Sequence, residues 1–305
     1  MGRGMTWMQL ESSCVPLILE ISVKLLSTTI VVLTTCDNYK VGCYMKPSLY
    51  ERIEVWNERR IERLRLKGPF RKTPEGFSYK GVKAQFESNW ETLTRKLVYA
   101  YSATDASFVN VGAHYGYYAC LAAHYGMNVT AFEPIHANYQ MLRDNLAHNG
   151  FLDRCRIIHG AVGGYSHITK IYGAFSGATL LPENTRKPKS MYQVTQVFTL
   201  SEIVTNKEKS LFLMDVEGFE VNVIGGASEL VADLENNSWI IETNGDNLIS
   251  LGTKMIDLGY SLFHIGNDKL LQLQKADLAG CTLKGNFLCT DASKESNMNI
   301  INRFL

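Results

Sequence analysis

The sequence lacks the features that define several specialised protein classes. Its 7 cysteines are an odd number at scattered positions and form no CxxC pair, so neither a disulfide framework nor a zinc site is indicated. The net charge of +1 gives no basic excess of the kind that binds nucleic acid. Hydrophobic residues make up 46% of the 305 residues and charged residues 20%, which excludes a disordered chain and predicts a globular core.

A long uninterrupted apolar run is also missing. The most apolar window, residues 15–36, contains Glu20 and Lys24, and its charge-free part has only 12 residues. A membrane-spanning helix needs ~20 apolar residues, and Glu11 upstream argues against a signal peptide. We therefore expect a packed segment in a cytoplasmic protein, with membrane anchoring through residues 15–36 as the alternative.

Residues 1–82 lack the regular pattern of the remaining chain and are predicted to form an N-terminal appendage. Within it, residues 49–67 have apolar side chains at helical spacing between charges, which predicts an amphipathic surface helix. Residues 68–82 contain two prolines and three glycines and predict a turn-rich connector.

From residue 83 onward, short apolar runs alternate with amphipathic helical patterns. The strand candidates are residues 107–111, 128–133, 155–159, 194–198, 210–215, 238–243, 260–265 and 286–290. The helix candidates are residues 86–101, 116–126, 136–149, 200–206, 219–233 and 247–258, and residues 160–193 predict a hairpin-rich insertion. The alternation predicts an α/β domain over residues 83–290, with a mostly parallel sheet covered by helices on both faces, followed by a tail at 291–305.

Glycines and a carboxylate follow the first two of these strands. The first strand leads into Gly112 and Gly116, and the second ends at Glu133. In such a sheet the ligand lies beyond the carboxyl ends of the strands, so these residues predict a nucleotide-type cofactor site. A carboxylate at Glu133 can accept hydrogen bonds from both hydroxyls of a ribose.

The glycine spacing favours S-adenosylmethionine over a dinucleotide. Dinucleotide sites use GxGxxG so that the backbone can approach a pyrophosphate. Here the spacing is GxxxG, and His114 stands where the middle glycine would fall. A side chain at that point obstructs a pyrophosphate, whereas S-adenosylmethionine has a ribose and no phosphate.

Two stretches resemble FkbM-type methyltransferases. FVNVGAHYGYYACLAAHYGMNVTAFEPIHANYQMLRDNLAHNG is similar to the first half of that family, and LFLMDVEGFEVNVIGGASELV followed by WIIETNG is similar to the second. The resemblance covers roughly residues 83–265. It implies a Rossmann-like, seven-stranded class I methyltransferase fold that binds S-adenosylmethionine. It also implies O-methylation of a small molecule or sugar hydroxyl, with a small-molecule or glycan acceptor and no nucleic acid as partner.

The same resemblance assigns the cofactor residues. Gly112 and Gly116 belong to its cofactor loop, in which His114 also lies, and Glu133 is its ribose ligand. Asn110 ends the first strand, where its side-chain oxygen can accept a hydrogen bond from the cofactor ammonium.

Two carboxylates after the strand SLFLMD are the predicted catalytic residues. Asp215 and Glu217 match the family motif, and Gly218 lets the chain turn so that both can face the mouth of the site. One of them is expected to orient the acceptor hydroxyl or take its proton. Glu242 ends the next strand and is a second choice for substrate contact, and no metal is predicted.

Two departures from the family pattern leave other functions open. Asn110 stands where an acidic residue is usual, and Leu213 stands where the motif usually has lysine. They motivate the alternative of a non-catalytic relative that binds S-adenosylmethionine and acts as an interaction or regulatory subunit. A third hypothesis, a nucleotide-sugar or dinucleotide oxidoreductase, is disfavoured by His114.

Overall fold

The computed structural model describes residues 53, 56–57, 60–61, 64, 67–173, 177–185, 187–205 and 208–305. Residues 1–54 and 55–305 are separate units, and the fold described below is that of the second. The apolar segment 15–36 lies outside the described residues. Of the predicted helix at 49–67, only the described positions, among them Trp56 and Leu64, are known to be helical. No helix among the described residues combines the length and apolarity that crossing a membrane requires.

The chain alternates strands and helices along most of its described length. The strands are β1 (Arg71–Lys72), β2 (Ser78–Tyr79), β3 (Ser107–Val111), β4 (Val129–Phe132), β5 (Cys155–Ile158), β6 (Ala161–Val162), β7 (His167–Tyr172), β8 (Tyr192–Phe198), β9 (Ser210–Met214), β10 (Asn237–Asn244), β11 (Ser261–Ile265), β12 (Leu270–Leu273) and β13 (Lys284–Thr290). The α-helices are α1 (Thr92–Ser102), α2 (Tyr117–His124), α3 (His136–His148), α4 (Leu200–Ile203), α5 (Glu220–Gly225), α6 (Ser228–Ala232), α7 (Gly245–Asp257) and α8 (Glu295–Ile301).

The central sheet has the strand order β12-β11-β13-β10-β9-β3-β4-β5. β5, β4, β3, β9 and β10 pair in parallel, whereas β13 runs antiparallel to both β10 and β11. From β3 the chain adds β4 and β5 on one side, and β9 and β10 then form on the other. The strand order therefore reverses at β3 and β9, where a ligand cleft is expected beyond the carboxyl ends.

Two apolar clusters cover the two faces of this sheet. Leu211 and Leu213 of β9 pack with α1, α2, α3 and α8, while Phe212 and Met214 pack with α4, α5, α6 and α7. Successive side chains of a strand point to opposite faces, so a strand buried on both sides must be apolar throughout. The predicted α/β architecture with helices on both faces is confirmed.

The sheet has one strand more than the seven that the family resemblance implies. β12 pairs antiparallel with β11 at the edge, and its residues Leu270–Leu273 were not assigned to any element. Two further boundaries differ. The helix predicted over residues 86–101 begins only at Thr92, and the helix predicted over residues 219–233 is divided into α5 and α6 at Gly226 and Ala227.

The predicted connector at 68–82 packs onto the core. Phe77 and Tyr79 are 2% and 0% exposed and belong to the cluster that α1 and α2 build. Glu75 accepts a hydrogen bond from Arg95 of α1 at 2.5 Å and another from Tyr117 of α2 at 2.7 Å. The predicted domain boundary near residue 83 stays a prediction. Because Glu75, Phe77 and Tyr79 contact the core, we expect the boundary to lie before Glu75.

The predicted C-terminal tail at 291–305 is likewise part of the packing. Ile300 and Ile301 of α8 are 3% and 0% exposed, and Phe304 accepts a hydrogen bond from the backbone of Leu270 at 2.7 Å. The tail therefore supports β12 at the edge of the sheet.

Candidate active site

A cleft of about 1070 Å³, part of it open to solvent, lies at the carboxyl ends of β3, β4, β9 and β10. Its position is the one expected from the reversal of strand order. Of the predicted site residues, it brings together Asn110, Gly112, His114, Glu133, Asp215, Glu217 and Glu242.

Gly112 forms the floor of the cleft directly after β3. Its φ is +79°, a left-handed conformation that suits glycine. A Cβ built on Gly112 would lie 1.9 Å from the backbone oxygen of Asp215. The glycine is therefore required because the loop after β3 touches the end of β9.

Gly116, which the sequence assigned to the cofactor site, does not line the cleft. It has a φ of +83° and precedes α2, and a Cβ there would lie 2.2 Å from Cδ1 of Leu142 in α3. Its role is to let α2 start against α3. The assignment of Gly116 to the cofactor loop stays a prediction, and the nearest neighbour of its Cβ position is a core side chain.

Glu133 follows β4 and holds the loop that carries the predicted cofactor residues. Oε2 accepts a hydrogen bond from the backbone N–H of His114 at 2.7 Å. Oε1 accepts bonds from the backbone of Ile135 at 2.9 Å and from Asn138 at 3.2 Å. Burial raises the pKa of Glu133 to about 7, against the opposing effect of these donors. A carboxylate has about four lone-pair sites, so these bonds are compatible with a further donor from the cleft.

Asn110 presents an unsatisfied acceptor to the same cleft. The residue is only 2% exposed, and its Oδ1 accepts no hydrogen bond from the described residues. A buried acceptor without a partner is unfavourable by about 1–3 kcal/mol unless a ligand supplies the donor. This oxygen and Glu133 fit a cofactor that carries an ammonium group and a ribose.

His114 occupies the loop between the two glycines, as the sequence predicts. Its φ is +52°, and its ring stacks on that of Tyr115 with centroids 3.8 Å apart. A ring at this point leaves less room for a pyrophosphate beside the loop, consistent with the argument from the glycine spacing.

Asp215, Glu242 and Asn286 form a polar row across three neighbouring strands. Glu242 pairs with Asn286 in the β10–β13 ladder, and Met214 pairs with Ile241 in the β9–β10 ladder, which brings Asp215 level with Glu242. All three side chains line the cleft. Burial and then the charge of Glu242 raise the pKa of Asp215 well above its usual range.

Glu217 is placed differently from Asp215. It is exposed at the mouth of the cleft, and its φ of +53° puts it in the left-handed region. Its backbone oxygen accepts a hydrogen bond from Thr179 at 3.0 Å, which ties the turn after β9 to the insertion after β7. The predicted insertion at 160–193 therefore helps to shape the cleft.

Glu91 is a cleft residue that the sequence analysis missed. It precedes α1 with a φ of +41°, and its Oε2 accepts hydrogen bonds from Tyr118 at 2.5 Å and from Asn286 at 3.2 Å. Burial raises the pKa of Glu91. No local pattern marks Glu91 as a site residue, because it lies within a predicted amphipathic helix rather than at a strand end.

Comparison with known families identifies the chemistry of this cleft. Residues 110–258 match the family model described as the methyltransferase FkbM domain. The chain contains an FkbM methyltransferase domain. The matched range runs from the end of β3 to α7 and includes all the predicted site residues. The protein is a methyltransferase. The predicted family resemblance is confirmed. No curated protein sequence matches the chain significantly.

Solved structures of other methyltransferases are similar to this chain at low identity. Precorrin-6y C5,15-methyltransferase from Geobacter metallireducens is 8% identical with a TM-score of 0.35, over 64% of this chain and 87% of that one. A putative RNA methyltransferase from Pyrococcus horikoshii is 14% identical with a TM-score of 0.35, over 76% and 94%. A Pyrococcus abyssi tRNA (uracil-54, C5)-methyltransferase in complex with S-adenosyl-L-homocysteine is 11% identical with a TM-score of 0.39, over 72% and 43%.

Within the described residues, no group of three or more His, Cys, Asp or Glu side chains is arranged to hold a metal ion. The carboxyls of the methyltransferase cleft instead repel one another. Burial, followed by the charges of Glu91, Glu217 and Glu220, raises the pKa of Glu242 to about 7 from 4.5. The folded protein thus binds this proton more tightly than the unfolded chain does.

We expect Glu242→Gln to stabilise the methyltransferase increasingly as the pH rises. A carboxyl with a raised pKa in the folded state contributes stability at low pH that is lost as the pH rises from about 4.5 to about 7. Glutamine does not titrate, so the variant does not lose this stability as the pH rises. Its free energy of unfolding relative to the wild type should rise by only about 1–2 kcal/mol between about pH 5 and pH 8, because the side chain of Glu242 is exposed and solvent screens the repulsion.

Urea unfolding over this pH range measures the difference. Glu229→Gln is the matched control, since Glu229 is exposed on α6 and does not line the cleft. If the two variants show the same dependence on pH, Glu242 is not part of a repulsive cluster.

Proposed function

We propose that the protein transfers a methyl group from S-adenosylmethionine to a hydroxyl of a small molecule or sugar. The main observation in favour of this cofactor is the buried Oδ1 of Asn110, which accepts no hydrogen bond from the described residues and lies in the same cleft as Glu133. The cofactor ammonium can donate a hydrogen bond to Oδ1 of Asn110, and the ribose hydroxyls can donate to the carboxylate of Glu133. The FkbM domain over residues 110–258 supports the reaction type.

When bound, S-adenosylmethionine supplies a methyl group on a sulfonium that is already an activated leaving group. The residues of the chain have to hold the acceptor in line and exclude water. Asp215 accepts the proton of the acceptor hydroxyl on a carboxylate oxygen as that hydroxyl attacks. Burial and the charge of Glu242 raise its pKa, which makes the carboxylate more basic than that of an ordinary aspartate.

Calorimetric titration with S-adenosylmethionine, and separately with NAD, tests the cofactor. We expect binding of the first and none of the second, because the loop has GxxxG with His114 inside it. Binding of NAD alone would favour the oxidoreductase hypothesis. Transfer of a labelled methyl group to an acceptor then separates the enzyme from a non-catalytic relative.

Glu133→Ala should weaken the affinity for S-adenosylmethionine by about 1.5–3 kcal/mol, or roughly 10- to 150-fold. The reason is the loss of the proposed ribose ligand together with the support that Glu133 gives to the backbone of His114. The affinity is measured by titration, with Glu229→Ala on α6 as the control. Unchanged affinity in Glu133→Ala would remove this residue from the cofactor site.

A further inference from the structure

Three aromatic rings form one wall of the cleft. Trp90 packs against Tyr117 with ring centroids 4.9 Å apart and against Tyr118 at 5.8 Å, and the two tyrosines lie 5.7 Å apart. All three line the cleft, and we call them the aromatic wall. Trp90 lies before residues 110–258, which match the family model.

The tyrosines of the aromatic wall are held by carboxylates. Tyr117 donates a hydrogen bond to Glu75 at 2.7 Å, and Tyr118 donates one to Glu91 at 2.5 Å. Their hydroxyls are thus engaged at the edge of the ring. Such fixed rings offer their faces to a ligand without further loss of side-chain freedom.

The charged side chains that line the cleft beside the aromatic wall are carboxyls, while Arg95 lies outside the lining, where it contacts the Tyr117 hydroxyl at 3.4 Å and pairs with Glu75. The described residues that line the cleft include Glu91, Glu133, Asp215, Glu217 and Glu242, and no lysine or arginine. Burial, followed by the charges of the neighbouring carboxyls, raises the pKa of Asp215 and of Glu242. An anionic acceptor, such as a phosphorylated or carboxylated sugar, would add to this repulsion.

The cofactor does not balance these charges. S-Adenosylmethionine carries one net positive charge, on its sulfonium, against the five carboxyls that line the cleft. Its ammonium, which the proposed function places at Oδ1 of Asn110, is offset by its own carboxylate. Beyond that single charge, no lysine or arginine among the described residues lines the cleft beside Glu91 and Glu242. Carboxylates combined with aromatic faces are the groups that recognise organic ammonium ions.

We propose that the acceptor carries an organic ammonium group, bound against Trp90 and Tyr118 and balanced by Glu91 and Glu242. This proposal rests on the proposed function, since it assigns the acceptor of that same cleft. It narrows the acceptor from any small molecule or sugar to a hydroxyl compound with a positively charged amine, such as an amino alcohol or an amino sugar.

Choline and its uncharged carbon isostere, 3,3-dimethylbutan-1-ol, test the proposal because they share one shape and differ in charge. Each is titrated by calorimetry into the full-length protein, both alone and saturated with S-adenosylhomocysteine. We expect choline to bind at least about tenfold more tightly than the isostere. The preference should be larger at pH 8 than at pH 6, since Glu242, near Glu91, Glu217 and Glu220, loses its proton over this range.

Two variants and two controls locate the binding site. Trp90→Leu and Glu242→Gln should each reduce the preference for choline at least about threefold. Tyr165→Leu, at a ring that is 68% exposed, and Glu229→Gln should leave it unchanged. Should Trp90→Leu fail to fold, Glu242→Gln still decides the question, because it keeps the shape of the side chain.

Equal binding of choline and its isostere, or no binding of either, overturns the proposal. A preference that survives in Glu242→Gln and in Trp90→Leu also overturns it, because the cation would then bind elsewhere. Titration of the same sample with S-adenosylmethionine distinguishes failure of the ammonium-acceptor proposal from failure of the proposed cofactor. Binding of S-adenosylmethionine without a preference for choline rejects only the ammonium acceptor, whereas the reverse result rejects the proposed cofactor.

Discussion

Replacing Asp215 with asparagine should lower turnover at least about 100-fold and leave the affinity for S-adenosylmethionine within a few-fold. Asp215 continues β9 into the cleft, where its backbone N–H still donates to Val111 at 3.0 Å, so its position is set by the sheet. The amide keeps the shape of the side chain but cannot take a proton from a hydroxyl. Transfer of a labelled methyl group to the acceptor of the wild-type enzyme measures the loss.

Two comparisons show whether basicity is what Asp215 contributes. Glu217→Gln should have a smaller effect, because Glu217 is exposed at the mouth of the cleft. Asp215→Asn should also unfold at a higher temperature than the wild type at pH 8, since it removes one of several mutually repelling carboxylates. A wild-type rate in Asp215→Asn would move the proposed base to Glu242 or His114.

The central strands could be predicted from the sequence almost residue by residue. β3 has the predicted bounds, and β4, β5 and β9 differ from them by only one or two residues. The reason is physical: strands buried on both faces must be continuously apolar, and such runs stand out between amphipathic helices. β12 (Leu270–Leu273) was not predicted, because it has only four residues at the edge of the sheet and Leu271 among them is 50% exposed.

Some residues of the candidate site could be predicted from the sequence, whereas others could not. Asn110, Glu133, Asp215 and Glu242 lie at the carboxyl ends of their strands, and the topology brings such positions together without further information. Glu91 reaches the cleft from a segment before the first strand of the sheet. Its placement depends on a left-handed backbone and on distant hydrogen bonds, which no local pattern reports.

The turn-rich segment at 68–82 shows a different limit. Its glycines and prolines correctly predict turns, but turns do not reveal what the side chains between them contact. Tyr79 is completely buried, and Glu75 pairs with Arg95 at 2.5 Å. Removing this segment would therefore expose the core beneath α1 and leave the Arg95 guanidinium without its carboxylate.

Gly112→Ala should be among the most damaging single substitutions in the domain, with a loss of about 3–5 kcal/mol in the free energy of unfolding. Its Cβ would lie 1.9 Å from the backbone oxygen and 3.0 Å from the backbone carbon of Asp215, at a φ of +79°. No side-chain rotation relieves a contact with the backbone, so the loop after β3 and the end of β9 must separate. Turnover should fall with stability, because Asp215 would move with its backbone.

Gly150→Ala is the control that measures the effect of a positive φ without a steric clash. Gly150 has a φ of +71°, and a Cβ there would meet nothing within 4 Å, so only the left-handed backbone opposes alanine, by about 1 kcal/mol. Denaturant unfolding of both variants gives the difference of about 2–4 kcal/mol that the contact with Asp215 contributes. Equal losses would mean that the loop after β3 can yield, and that Gly112 is required for its backbone conformation alone.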